Sequence, residues 1–325
     1  MGILRYLVLE YGQASDRLIL SDLTGRPEVE LLLWRPPGGG LLRNVWRKAT
    51  GERAAREALL AAAGRADCLI VLAYCLLAWD EALFRRLRSQ YPDLRLVLLL
   101  WDSLGTRSPM MEAVRPKILG WPWDLVISFD KGDCEAHGFA WLGLSYYSMV
   151  KVQPQGENCD ICFVGADTEG RRALLQAVRC RIHSGGGRCD FTLVPRLGRA
   201  RRFAASIFPC ILPQGEEGLR FSAGLIPYRE LLARAMSANC LLELVQPGQR
   251  TQTLRYFEAV CYGKKLLTNN PGVRELPFYD ERYMRVFEEP GDIDVAWVRQ
   301  REHVSYGYGG EFSPARILDI IEAHI

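Results

Sequence analysis

Along the first 150 residues, short apolar runs alternate with longer segments whose apolar positions recur every three or four residues. "RYLVLEY" (5–11) reads as a strand, and "ERAAREALLAAAGRAD" (52–67) carries alanine and leucine at helical spacing. "CLIVLAY" (68–74) and "LRLVLLLWD" (94–102) are continuous apolar runs, the pattern of strands buried on both faces. Between them, "WDEALFRRLRSQYP" (79–92) is an amphipathic helix stopped by Pro92. "WDLVISFD" (123–130), a short helix over "KGDCEAHG" (131–138) and "FAWLGLSYYS" (139–148) follow. At "VKVQPQGEN" (150–158) the texture turns polar, which suits a hinge between domains. The alternation then restarts: strand "CDICFVG" ending in Gly165, helix "TEGRRALLQAVRCRI", strand "CDFTLVP", helix "PYRELLARAMSAN" and strand "CLLELVQ". A helix "TQTLRYFEAVCYG" closed by Gly263, strand "KKLLTNN" and a final helix with Ser313 as N-cap and Pro314 at its first position complete it.

Strand–helix–strand order repeated twice predicts an α/β chain of two parallel-sheet domains facing each other across a cleft. Their expected bounds are 1–152 and 153–325, the last helix being free to pack back on the first domain. A length of 325 residues accommodates two such domains. The net charge of +3 gives no reason to expect a nucleic-acid partner. Ten scattered cysteines read as reduced, mostly buried thiols of an intracellular protein. Cys159 and Cys162 lie on a strand, where a spacing of three sends them to opposite faces, and Cys180, His183 and Cys189 make a poor second pair for zinc. Charged residues at Arg5, Glu10 and Asp16 interrupt any signal-peptide core, and the longest apolar run, Cys68–Trp79, falls short of a bilayer span. A cytoplasmic location follows, with peripheral contact at the inner membrane face left open.

The densest chemistry is in "VQPGQRTQTLRYFEAVCYGKKLLTNN" (245–270). In an open parallel sheet, ligands bind beyond the carboxyl ends of strands, and "CLLELVQ" ends where "PGQRTQT" begins. Gly248 lets the backbone approach a ligand, the unpaired amides that open the next helix favour anions, and Arg250 adds positive charge, as does Arg255 if it turns inward. Thr251 or Thr253 caps the helix. This arrangement, with Gln249 inside the same loop, suits a diphosphate. Glu258, one turn beyond Arg255, could accept two hydrogen bonds from a ribose diol; the plainer alternative is an ordinary cap and a surface i,i+3 ion pair.

This stretch resembles the nucleotide-sugar-binding region of GT-B-type glycosyltransferases, where a glycine-containing loop leads into a helix whose glutamate holds the nucleotide ribose. "RYFEAVCYGKKLLTNN" supplies Glu258, Ala259, Gly263 and the strand to Thr268. "CDICFVGADTEGRRALL" resembles the first strand and helix of such a C-terminal domain, and "WPWDLVISFDKGDCEAHGFAWLGLSYYS" the end of the N-terminal one. The likeness covers roughly residues 95–275 and is nearest to bacterial lipopolysaccharide, capsule or spore-coat glycosylation proteins. It implies two Rossmann-like domains, a nucleotide-diphosphate sugar as donor, no cofactor, no metal, and a glycan or lipid-linked acceptor. Gly165, Arg171, Gly248, Gln249, Arg250, Thr251, Thr253, Arg255 and Glu258 are then donor-site residues, with Arg171, Arg250 and the 248–253 amides neutralising the leaving diphosphate. Many retaining members carry a second glutamate eight residues before the first; here that position is Arg250, so the usual donor-sugar contact is absent or made differently. An epimerase of the same fold and a non-catalytic sugar-nucleotide-binding or assembly protein are the alternatives.

Asp102 and Asp130 end apolar strands and are the candidate bases for an acceptor hydroxyl, against an ordinary role in loops or caps. His137 nearby suits a surface role. Asp292 and Asp294 form an Asp-x-Asp pair, but their place after Pro290 and Gly291 suits turns and caps better than metal. "RLGRARR" (196–202) and "LLRNVWRKA" (41–49) are basic and could meet phospholipid or a lipid-linked diphosphate, their default being solvated loops.

Overall fold

The structure, a computed structural model, describes residues 4–10, 14–34, 53–106, 108–156, 158–168, 170–195, 197–208, 210, 212–224, 226–245 and 253–325, without the side chains of 14–16, 199, 200, 202 and 206. The chain divides into two compact units, residues 1–150 with 311–325, and residues 151–310.

Unit 1 holds strands β1 (Tyr6–Glu10), β2 (Val29–Leu33), β3 (Cys68–Leu72), β4 (Arg95–Leu99), β5 (Leu125–Ser128) and β6 (Ala140–Trp141). They form one parallel sheet in the order β2-β1-β3-β4-β5-β6. Between the strands lie α1 (Ala14–Ile19), α2 (Ser21–Thr24), α3 (helical over 53–63), α4 (Glu81–Gln90), α5 (Pro109–Gly120) and α6 (Lys131–His137). β1 and β3 are buried at every position, as the unbroken apolar runs require.

Unit 2 holds β7 (Cys159–Asp167), α7 (Arg171–Ser184), β8 (Cys189–Pro195), α8 (Arg199–Ile207), β9 (Leu219–Phe221), α9 (Tyr228–Ser237), β10 (Ala238–Glu243), α10 (Leu254–Tyr262), β11 (Lys265–Thr268), β12 (Met284–Val286) and α11 (Val295–Arg299). Its sheet runs β12-β11-β10-β7-β8-β9, all parallel. Ile161, Phe163, Leu175, Val178, Phe191, Leu193, Leu242 and Val298 are part of its core. The strand order reverses between β7 and β10, which makes their carboxyl ends the topological switch point of a Rossmann sheet.

α12 (Arg316–His324) belongs to unit 1. Arg316 donates to the carbonyls of Leu142 and Leu144 at 3.2 and 3.0 Å, and the Tyr6 hydroxyl donates to Glu322 at 2.9 Å. The expected start at Ser313 and Pro314 is corrected: a tight i→i+3 turn, Ile317 N–H to Pro314 O at 3.0 Å, precedes the helix proper. A second correction concerns "RLGRARR", whose second half opens α8 instead of lying in a loop. The segment "LLRNVWRKA" lies outside the described residues. Among the described residues, no helix is long and apolar enough to cross a membrane.

Candidate functional site at the switch point of the second sheet

In β10 the apolar run Cys240, Leu241 and Leu242 leads to Glu243, the last residue, which is buried although it carries a carboxylate. Such a group is costly unless hydrogen-bonded. Thr268, its register partner at the end of β11, donates its hydroxyl to one oxygen at 2.5 Å. Thr253 donates to the other oxygen and, as N-cap of α10, accepts the Arg255 amide at 3.2 Å. Burial pushes the Glu243 carboxyl up, while the two hydroxyls and the Arg255 guanidinium pull it down.

The residues after Glu243 are equally fixed. Arg171, at the start of α7, donates to Ala166 O of β7 at 2.9 Å and to Leu244 O at 3.2 Å, so one guanidinium joins the strands on both sides of the switch point. Asn269 accepts from Val245 N–H at 2.8 Å and donates to Val245 O at 3.2 Å. Val245 and Thr253, the described residues on either side of 246–252, are therefore held at the carboxyl edge of the sheet. Gly248, Gln249, Arg250 and Thr251 lie in that segment, outside the described residues.

Gly165, near the end of β7, leaves room for its neighbours: a Cβ there would sit 2.8 Å from Cζ of Phe163 and 3.7 Å from a terminal nitrogen of Arg171. The Arg171 guanidinium lies 5.9 Å from the centroid of the same Phe163 ring. Gly165 and Arg171 thus belong to one packing unit beside the switch point.

Glu258 is 0% exposed on the second turn of α10. Its carboxylate pairs with Arg255 and accepts the Tyr228 hydroxyl, from the start of α9, at 2.8 Å. Burial raises its carboxyl, opposed by Arg255 and Tyr228. Arg255 turns inward toward two buried carboxylates, so its pair with Glu258 is not a surface pair. Gly263 ends α10 at φ 58°, and a Cβ there would meet Val304 O at 2.5 Å.

Sequence reasoning missed Glu243 and Tyr228. Glu243 left a readable signal, a lone acid at the end of an apolar strand; Tyr228 left none. Glu10 repeats the Glu243 pattern in unit 1: it ends β1, is buried, and lies 3.7 Å from Arg17.

In unit 1, Asp102 follows β4 on a loop held from two sides. Asp133 accepts Leu104 N–H at 2.8 Å, and Arg115 donates to Leu104 O at 2.5 Å. Asp102 is partly buried, which raises its carboxyl, and no hydrogen bond or ion pair engages it among the described residues. Asp130 is the N-cap of α6, accepting Asp133 N–H at 3.0 Å. Asp294 caps α11 and pairs with Arg285 at 2.7 Å, while Asp292 accepts Glu289 N–H at 2.8 Å. Among the described residues, no three His, Cys, Asp or Glu side chains come together as a metal site. Cys159 and Cys162 are buried, and burial lifts both thiols, Cys159 to about 12. A cavity of about 780 Å³, lined by Cys159, His183, Arg188, Asp190 and Arg234 among others, opens at the amino-terminal ends of β7 and β8, away from the switch point.

No protein-family model matches the chain, and no curated protein matches it. Solved structures do. HepE of Anabaena, determined in complex with UDP-glucose, is 12% identical with a TM-score of 0.52, over 99% of this chain and 98% of HepE. An α,α-trehalose-phosphate synthase (UDP-forming) from Burkholderia vietnamiensis is 11% identical with a TM-score of 0.50, over 98% and 95%. The UDP-GlcNAc 2-epimerase of Methanocaldococcus jannaschii is 8% identical with a TM-score of 0.50, over 98% and 99%. With its two six-stranded parallel sheets, each built on Rossmann-like α/β lines, the chain has the GT-B-type fold.

Proposed function

We propose that this chain is a glycosyltransferase that moves a sugar from a nucleotide-diphosphate sugar to a cell-surface glycan or glycolipid acceptor. The observation that carries the reading is the anchoring of Leu244, Val245 and Thr253 at the switch point, beside the buried Glu258. The N-terminus of α10, at the carboxyl edge of the sheet, suits a diphosphate. Gly248, Gln249, Arg250, Thr251 and Thr253 would line it, with Gly165 and Arg171 supporting it from β7 and α7. Glu258 would take the ribose hydroxyls, with Arg255 and Tyr228 holding its carboxylate in place. HepE, bound to UDP-glucose, and the UDP-forming synthase point to a uridine nucleotide.

In the transfer, the bond from the anomeric carbon to the diphosphate oxygen breaks and its electron pair leaves with the nucleotide. Arginine and backbone N–H groups stabilise that charge without a metal. The acceptor oxygen bonds to the anomeric carbon, and its proton passes to a carboxylate. Asp102 is our choice of base, because its oxygens are not engaged elsewhere among the described residues, whereas Asp130 caps α6.

Thermal-shift measurement against uridine, guanosine, adenosine and thymidine diphosphates, with and without chelator, tests the donor site. One diphosphate should raise the melting temperature, and chelator should leave the shift intact. No shift with any of them would end the reading. The epimerase of the same fold is the second reading; release of an epimerised sugar nucleotide without acceptor would favour it.

A further inference from the structure

Glu243 joins three chain segments at the carboxyl edge of the second sheet. It ends β10, takes the Thr268 hydroxyl of β11 on one oxygen at 2.5 Å, and takes the Thr253 hydroxyl of α10 on the other. Thr268 also accepts Asn270 N–H at 2.9 Å, so the chain leaving β11 is tied to the same point. A carboxylate only accepts, so each threonine spends its one hydroxyl proton on Glu243. The Thr253 oxygen is left with lone pairs, and one of them takes the Arg255 N–H as the N-cap of α10. Tyr256 N–H returns to Thr253 O at 3.1 Å. Among the described residues, Leu254 N–H meets no partner, so it is the first-turn amide left for an anion. Thr253 and Leu254 are half-buried, Glu243 and Thr268 buried.

We propose that Glu243 is a positioning residue of the donor site, holding the Thr253 hydroxyl as an acceptor and so aiming the Leu254 amide at the donor's diphosphate. The inference rests on the donor-site reading above. The carboxylate acts through Thr253 and does not touch the ligand. Its charge alone would repel a diphosphate, so the sign of a substitution separates the two roles. Losing a repulsive charge tightens binding, whereas losing the acceptor of Thr253 loosens it. A glutamine amide still offers one carbonyl oxygen, which serves Thr253 when its NH₂ group turns to Thr268.

The test titrates the full chain calorimetrically with whichever of uridine, guanosine, adenosine and thymidine diphosphate stabilises it, below the melting range of every variant. Glu243→Met should weaken binding about fivefold, the worth of one N-cap, and Glu243→Gln less than about twofold. Thr253→Val should cost as much as Glu243→Met, and the double variant little more, because both changes remove one link. Thr253→Ser should bind like the native chain. Val178→Ala, a cavity in the core of the same unit, should lower the melting temperature and leave the affinity alone. If Glu243→Met does not fold, Glu243→Asp, one carbon too short to reach Thr253, takes its place. Unchanged or tighter binding in Glu243→Met would overturn the proposal, and so would losses that add in the double variant or a Gln variant as weak as the Met one. A native chain that binds none of the four diphosphates fails the donor-site reading and this inference with it. Native binding together with any of the overturning results fails this inference alone.

Discussion

Tyr228 donates its hydroxyl to Glu258 across 2.8 Å, joining the first turn of α9 to the second turn of α10. The other carboxylate oxygen pairs with Arg255, so Glu258 is held from two sides inside unit 2. Glu258→Gln should weaken nucleotide binding about tenfold to a hundredfold, the range of a lost charge-assisted hydrogen bond. A 2′-deoxy nucleotide should bind the native chain less tightly and lose much of that handicap in the variant, since both changes remove one shared interaction. Calorimetric titration measures both. Native-like affinity in the Gln variant would make Glu258 a structural residue. Tyr228→Phe should cost about 1.5–3 kcal/mol in urea denaturation, the contribution of a hydrogen bond to a charged group.

Arg171 separates a structural role from an electrostatic one. Arg171→Ala strips the guanidinium from Ala166 O and Leu244 O and should destabilise the chain by about 1–3 kcal/mol. Arg171→Lys keeps the charge but not the planar fork. It should recover diphosphate binding in part and stability hardly at all. If lysine restores neither, the residue serves the fold alone.

Gly165→Ala should lower stability by about 1–3 kcal/mol through overpacking against the Phe163 ring. Phe163→Leu costs stability by itself, yet the double variant should be more stable than the sum of the two losses predicts, because leucine withdraws the clashing atoms. Urea midpoints of the four proteins give the coupling. Additive losses would mean that the strand end moves aside instead.

Burial raises the Asp102 carboxyl above the ordinary aspartate value of about 3.9. A base must be ionised, so the acid limb of the rate profile should lie above that value and vanish with the activity in Asp102→Asn. The sign for stability is opposite. The folded chain holds this proton more tightly than the unfolded one, so the group's contribution is largest at low pH and is lost as pH rises through the raised value. Asp133→Asn, which weakens the grip on Leu104, should shift the acid limb and lower kcat more than it changes KM.

The elements of the fold were legible wherever local pattern decided them. The apolar runs around Leu69 and Val97 became buried parallel strands, and Thr253 and Gly263 bound α10 as N-cap and C-cap. What the sequence could not disclose was closure in space. Arg171 meets Leu244 seventy-three positions away, and Tyr228 meets Glu258 thirty positions away. Neither spacing has a local signature. Glu258 itself reads equally well as a surface residue until the neighbouring helix is in place. Asp130 shows the opposite limit: an acid at a strand end is equally suited to capping, and here it caps.

The return of residues 311–325 to unit 1 fixes an order of assembly during synthesis. Unit 2 is continuous in sequence and is complete once residue 310 has emerged from the ribosome. Unit 1, begun first, lacks Ile317, Leu318 and Ile321 of its core until the last turns of α12 arrive. A nascent chain arrested before residue 311 should carry a protease-resistant second half and an unfinished first half, so the N-terminal sheet matures last.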